Sequence, residues 1–241
     1  MTTFEHAMLG VDGVLAVGLH RRYHWQLAAM AGFAAASPDW DGLTYLFSSA
    51  LFAEGHRVWG HNVVACVISG LIIGALDYRY DLITRAGRLL TRLLRMTVPK
   101  QRLSLRATFE RCGYQTWMIV AIVAALSQLP ADMVVSGATG LSDWEVKLFW
   151  PFSDRGWVFA MVPWGDPGIS VVFIVGMFAM VKRPRALGTP HSAGATRRSE
   201  TARTNRMRRW TAGIDHIQCK AILTLLGVLI YIVVRGTILR S

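Results

Sequence analysis

Cysteine is scarce in this chain: Cys66, Cys112 and Cys219 are the only three in 241 residues. They share no metal-ligand spacing, and each lies within or beside an apolar run, so inert packing is expected rather than a disulfide framework or a thiolate metal site. Acids are also few, 15 Asp and Glu against 26 Lys and Arg. A cleavable leader is not expected either. The start has no basic region, Glu5, His6 and Asp12 interrupt its apolar stretch, and Arg21-Arg22 follows that stretch instead of preceding it. Polar residues as a whole are too few for an ordinary soluble domain, since 53% of the chain is hydrophobic.

What the chain does have is apolar runs. Residues 118–129, 169–181 and 221–234 are nearly unbroken, and 61–76 is a fourth run with Asn62 and Ser69 as its weak points. With their flanks, each approaches the roughly 20 residues a helix needs to cross hydrocarbon. The expected fold is therefore all-α, a polytopic helical membrane protein with about six embedded segments: 4–19, 25–37, 61–76, 113–130, 167–181 and 218–235. The first two are short enough to form a tilted or half-buried hairpin. A membrane domain over 1–181, a basic linker over 182–217 and a last helix over 218–241 complete the expected organisation.

Charge orders these segments. Nine Lys and Arg fall in 77–111 and ten more in 182–220, and basic loops stay on the cytoplasmic side. The alternation puts 77–111 and 182–217 inside and 131–166 outside. The outer face then collects Glu5, Asp39, Asp41, Glu54, Asp132, Asp143, Glu145, Asp154 and Asp166, together with His6, His56 and His61. Distant segments bring carboxylates and imidazoles to one face. The acids do not step through the bilayer, which speaks against ion transport.

Two inner stretches have plainer readings. In 82–96, Arg85, Arg88, Arg92 and Arg95 recur every three or four residues opposite a leucine face. That pattern reads as an amphipathic helix on anionic inner-leaflet lipid. Nucleic-acid binding is not expected, because no aromatics interleave with the arginines. Gly70 and Gly74 suit close packing of membrane helices. Trp144, Trp150, Trp157 and Trp164 in the outer loop suit an interfacial aromatic belt or a platform for a lipid or partner.

The candidate ligands are ordinary when taken singly. Asp39 and Asp41 lie in SPDWDG, where an extended stretch would turn both carboxylates the same way. His56 and His61 in EGHRVWGHN are roughly 140° apart on one regular helix, so either a helix begins between them or only one is a ligand. Gln128 and Asp132 are four apart and share a face if the helix continues past Pro130. A carboxylate this near hydrocarbon needs a partner, which marks Asp132. Asp166, followed by Pro167, reads as a helix cap.

Taken together, EHAMLG, SPDWDG, GHRVWGH and LSQLPADMVVSGATG leading to KLFWPF resemble the YdjM-like membrane-bound metal-dependent hydrolases, LexA-regulated inner-membrane proteins, over about residues 4–160. That family is distantly similar to zinc-dependent phospholipase C and P1-type nucleases. The resemblance implies a metal set of His6, Asp39, Asp41, His61, Gln128 and Asp132 holding one or two Zn²⁺, Mn²⁺ or Mg²⁺ ions. His56 and Arg57 would then serve phosphoester hydrolysis, Arg57 by neutralising a phosphate oxygen. Gln128 stands where the family pattern has histidine, and an amide is the weaker Zn²⁺ ligand. That departure leaves room for the alternative, a non-catalytic membrane subunit of a larger complex built on a hydrolase scaffold.

Overall fold

The computed structural model describes residues 1–94, 105–137, 144–181 and 215–240. Among these residues the protein is helical, with two isolated β-bridges, Val135 to Val162 and Val146 to Trp157, and no longer strand. The linker expected over 182–217 lies outside the described residues up to 214.

Helix α1 (Thr3–Ala16) starts at a capping box, in which the Thr2 hydroxyl accepts from Glu5 N–H and the Glu5 carboxylate accepts from Thr2 N–H. Gly18, at φ 75°, turns the chain back into α2 (Leu19–Ala36). This hairpin is not peripheral. Leu27, Met30, Ala31, Ala34 and Ala35 of α2 are fully buried, packed with Val14 of α1 and with Trp117, Ala121 and Ala124 of α6. Small residues make that possible, because a Cβ on Gly10 would lie 2.5 Å from the Ala31 carbonyl oxygen.

A 3₁₀ helix, Ser37–Leu46, and α3 (Ser49–Gly55) then lead to α4 (Val63–Tyr80), which is capped by the Asn62 side chain. Helix α5 (Leu82–Leu93) follows directly, after Asp81 at φ 55°. Helix α6 (Leu105–Val134) is broken at Gly113, where the backbone leaves the helical region. Its second part crosses α4 closely, and a Cβ on Gly70 would stand 2.7 Å from Ile122 Cα. The close packing expected of Gly70 and Gly74 is what the two helices make. Helices α7 (Pro167–Val181) and α8 (His216–Arg240) pack on each other and on α1, sharing a second core of Val135, Val162, Ile169, Phe173 and Val228.

Among the described residues, three helices are long and apolar enough to cross a membrane: Val63–Tyr80, Gly113–Val134 and His216–Leu239. Pro167–Met180 is a shorter apolar helix. Length and composition thus give three spans where the sequence led to about six embedded segments; the α1–α2 hairpin is held inside the bundle. One end of the bundle gathers the start of α1, the end of α2, the start of α4 and the end of α6. At the other end, Arg21 and His20 pair with Asp215, at 2.7 and 3.3 Å.

Candidate metal centre

The gathered end holds the acids and histidines. The stretch expected to be extended is instead the 3₁₀ helix Ser37–Leu46, begun by Pro38. With about three residues per turn, positions two apart diverge by roughly 120°, so Asp39 and Asp41 do not point the same way. The His61 ring spans the gap between them. Its Nδ1 lies 2.8 Å from Asp41 Oδ2, and its Nε2 lies 3.2 Å from Asp39 Oδ1.

His61 sits in the connection between α3 and α4, two residues short of the membrane helix it was expected to begin. Both His56 and His61 lie in this loop, which allows them to converge despite their spacing. Arg57 adopts the left-handed conformation at φ 65°, and Gly60 packs onto the Pro38 carbonyl so tightly that no Cβ would fit. The loop is tied to Asp41, whose Oδ2 also accepts from the backbone N–H of Arg57 and Gly60, at 3.1 and 3.2 Å. Asp41 Oδ1 takes His56 Nδ1 at 3.2 Å.

The third contributor is the end of α6. The helix does continue past Pro130, and Gln128 and Asp132 project from one face. Asp132 Oδ2 is 3.3 Å from His61 Nε2, and Asp132 Oδ1 is 3.1 Å from His6 Nε2 and 2.5 Å from the Met1 amine. Gln128 Nε2 donates to Asp39 Oδ1 at 2.6 Å and lies 2.8 Å from His61 Nε2. The structure therefore brings His6, Asp39, Asp41, His56, His61, Gln128 and Asp132 to one place.

They do not play equal parts in it. His6, Asp39 and Asp132 each offer a ligand atom within 4.8 Å of the others. His61 Nε2 lies against two of these residues, 3.2 Å from Asp39 Oδ1 and 3.3 Å from Asp132 Oδ2. Donors held about 2.0–2.1 Å from a tetrahedral ion lie about 3.3–3.4 Å from one another, which the two His61 distances match. Asp41 is not in that group and meets His61 at the other ring nitrogen, Nδ1. Its two oxygens carry four donors, so its place is to orient the His61 ring, the arrangement common behind metal-bound imidazoles.

Several buried polar atoms are left over. Gln128 Oε1 and His6 Nδ1 make no hydrogen bond, and Asp132 Oδ2 has only its 3.3 Å approach to His61, an expensive condition for buried polar atoms. Electrostatics point the same way. Burial pushes the Asp41 carboxyl up, but hydrogen bonds from His56 and His61 outweigh it and hold it at about 2. Burial also pushes Asp39 up, yet His61 and His6 keep it below the ordinary carboxylate range. For His61, burial favours the neutral ring, but Asp132, Asp39 and Asp41 together raise it well above its usual value. The centre draws positive charge to the point where His61 Nε2 meets Asp39 and Asp132. Imidazole, carboxylate and amide oxygen are donors that suit a divalent ion.

Arg57 is engaged within the protein itself. It is 3% exposed. Its guanidinium donates to Ser136 Oγ and to the carbonyls of Asp132, Val135 and Trp144, and it stands 3.6 Å from Asp132 Oδ1. These bonds close the end of α6, whose last carbonyls lack helical partners, and pin the segment that begins at Trp144 to it. A phosphate would have to compete with all of them. Asp166 accepts from Gly168 N–H at 2.9 Å, the capping role expected of it, and also from Tyr231 and Arg235.

A cavity of about 370 Å³ opens beside Asp39, His56, His61 and Asp132, walled by Tyr45, Phe52, Trp144 and Trp164. His56 stacks on Phe52 at 4.5 Å and meets Trp144 edge-on. Ser136, Tyr45 and Trp144 were not singled out from the sequence as site residues. The aromatic richness of the outer loop was the one available signal for Trp144, and it reads equally as a membrane belt.

A family model described as YdjM inner membrane protein matches residues 1–239. No curated protein and no solved structure matches the chain.

Proposed function

The chain belongs to the YdjM inner membrane protein family, and we propose that it is a membrane-bound, metal-dependent hydrolase of phosphoesters or lipid head groups. One observation carries this reading: His6, Asp39 and Asp132 lie at ligand spacing beside an open cavity, with His61 against both acids and Gln128 Oε1 buried without a hydrogen bond. A divalent ion, Zn²⁺, Mn²⁺ or Mg²⁺, one or two per chain, supplies Lewis acidity and a water of lowered pKa.

The chain's own groups supply the rest. His6, Asp39, His61 and Asp132 would hold the ion, with Gln128 keeping Asp39 against the His61 ring. Asp41 fixes the His61 ring so that Nε2 faces the ligand group. His56 lines the cavity with Nδ1 engaged by Asp41, so Nε2 is the atom that returns a proton to the leaving oxygen. Arg57 keeps Asp132 in place by holding the end of α6. The aromatic walls limit water around the reacting bond. Multi-pass insertion, with the centre on the non-cytoplasmic side, follows from the basic residues at the opposite end, where α5 exposes Arg85, Arg88 and Arg92 to anionic inner-leaflet lipid.

The test is metal content. Detergent-purified protein is expected to retain stoichiometric divalent metal by mass spectrometry, and an Asp39→Asn/Asp132→Asn variant of unchanged elution volume is expected to lose it. Metal absent from both refutes the reading. A second reading rests on Gln128, whose amide N–H already bridges Asp39 and His61 without an ion. On that reading the protein is a non-catalytic subunit of a larger membrane complex, and it co-purifies metal-free in that assembly.

A further inference from the structure

The 3₁₀ helix that carries Asp39 and Asp41 also carries a ridge of bare apolar side chains. Trp40, Leu43 and Tyr45 are exposed, Leu46 is 78% exposed and Phe47 82%. A contiguous apolar surface of this kind marks contact with a membrane or a partner. Its position favours the membrane. The ridge leaves the end of α2 and returns through α3 to the start of α4, so it lies level with the beginning of the Val63–Tyr80 span and the end of the Gly113–Val134 span. That level is where a bilayer passes from hydrocarbon to head groups.

The ridge is continuous with the cavity. Tyr45 belongs to both, and its ring meets Phe52, another wall residue, edge-on at 5.5 Å. One side of the same short segment therefore faces outward as an apolar surface, and the other side faces the centre. A water-borne ester needs no such surface at the mouth of its site. An amphiphile does, since its chains require apolar contact while its head group reaches the polar floor.

We propose that residues 40–47 insert into the membrane interface and pass the head group of a bilayer phospholipid sideways into the cavity beside Asp39 and His61. The insertion stands on the ridge alone; the passage of a substrate rests on the hydrolase reading above. Insertion is tested by a fluorescent label on Phe47→Cys, in a Cys66→Ala/Cys112→Ser/Cys219→Ser background in phosphatidylcholine–phosphatidylglycerol vesicles. Nitroxide-bearing lipid should quench the label, and aqueous iodide should quench it about threefold less than the same label on Asp154→Cys in the exposed outer loop, as expected for side chains sunk at the head-group boundary. Equal iodide access at both positions overturns insertion, and so does shielding from iodide without quenching by nitroxide lipid, which would mean that another protein covers the ridge.

Passage is tested with wild-type protein and Leu46→Asp/Phe47→Asp. The variant should hydrolyse long-chain phosphatidylglycerol in vesicles about tenfold more slowly, from the lost apolar contact, with less than a twofold change on monomeric dihexanoyl phosphatidylglycerol. An equal loss on both substrates overturns lateral passage. If wild-type protein hydrolyses neither while the label at 47 sits in lipid, the hydrolase reading fails and insertion stands.

Discussion

In the proposed metal centre, replacing Asp41 by Asn separates orienting His61 from holding an ion. The carboxylate is fully buried and carries four donors: His61 Nδ1, Arg57 N–H and Gly60 N–H on Oδ2, and His56 Nδ1 on Oδ1. An asparagine can set its carbonyl oxygen where Oδ2 was, keeping the two backbone donors, which cannot adapt. Its NH₂ then faces His56, whose ring can change tautomer to accept. The fold should survive. What is lost is the charge behind His61: a hydrogen bond to an ionised group contributes about 1.5–3 kcal/mol against about 0.5–1.5 for a neutral one. The difference of roughly 1–1.5 kcal/mol is close to a factor of ten in affinity, within the 10–100-fold range typical of groups behind a metal ligand. Zn²⁺ affinity by chelator competition should therefore fall about 10–100-fold in Asp41→Asn, with thermal midpoint and elution volume near wild type. Asp132→Asn, which removes an anionic ligand, should leave no measurable binding. If the two variants lose metal equally, Asp41 is itself a ligand and the orienting role is wrong. If neither loses any, the centre does not hold a metal.

Other consequences can be checked separately. Gln128→His places an imidazole where a buried amide oxygen has no partner and should tighten Zn²⁺ binding by about tenfold or more, since imidazole is the stronger ligand; unchanged affinity would mean that position 128 does not face the ion. Arg57→Ala should destabilise the protein by about 3–5 kcal/mol, because it removes the 3.6 Å ion pair to buried Asp132 and leaves the carbonyls at the end of α6 without their donor, read as a lower thermal midpoint in detergent; normal stability with a raised KM would favour the phosphate-binding role. For Asp215, burial pushes the carboxyl up, but Gln218 N–H, Arg21 and His20 outweigh it and hold it below the ordinary range. A lowered folded pKa contributes stability above the unfolded value and loses it as pH falls through the folded one. The tie between the α1–α2 turn and α8 should therefore hold at neutral pH and loosen only below about pH 4, measured by hydrogen exchange at residues 18–22. Loosening near pH 6 would point to His20 instead.

How much of this was legible in the sequence depends on the distance over which each signal acts. The runs at 61–76, 118–129 and 221–234 mark the spans directly, because crossing hydrocarbon is a local demand on composition. The grouping of His6, Asp39, His61 and Asp132 at one end was legible from loop charge, since the side of each loop fixes which helix ends meet. The hairpin's burial was not. Residues 19–36 open with LHRRYHW, and nothing local says that Ala31, Ala34 and Ala35 will face α6. The roles of Asp39 and Asp41 were misread for a related reason. Period-two alternation holds for extended chain, and the chain here winds into a 3₁₀ turn that sends the two carboxylates to opposite nitrogens of one ring. The partners of Arg57 were not legible, because apart from Ser136 Oγ they are backbone carbonyls of residues 132, 135 and 144, which no side-chain pattern announces.

The same geometry explains why Gln128 need not empty the centre. His61 Nε2 already meets two carboxylates, and His6 stands on the far side of Asp132, so the anionic donors do not depend on position 128. An amide there contributes no charge and little affinity, yet its Nε2 donates to Asp39 Oδ1 and holds that carboxylate against the His61 ring. Buried ion pairs of this kind seldom repay their desolvation, so three acids beside a membrane span are a poor way to stabilise a bundle. They are an effective way to fix a point of negative potential whose location is set from four directions: α1, the 3₁₀ helix, the loop before α4 and the end of α6. In this centre Gln128 serves to position Asp39, and the capacity for a cation resides in His6, Asp39, His61 and Asp132.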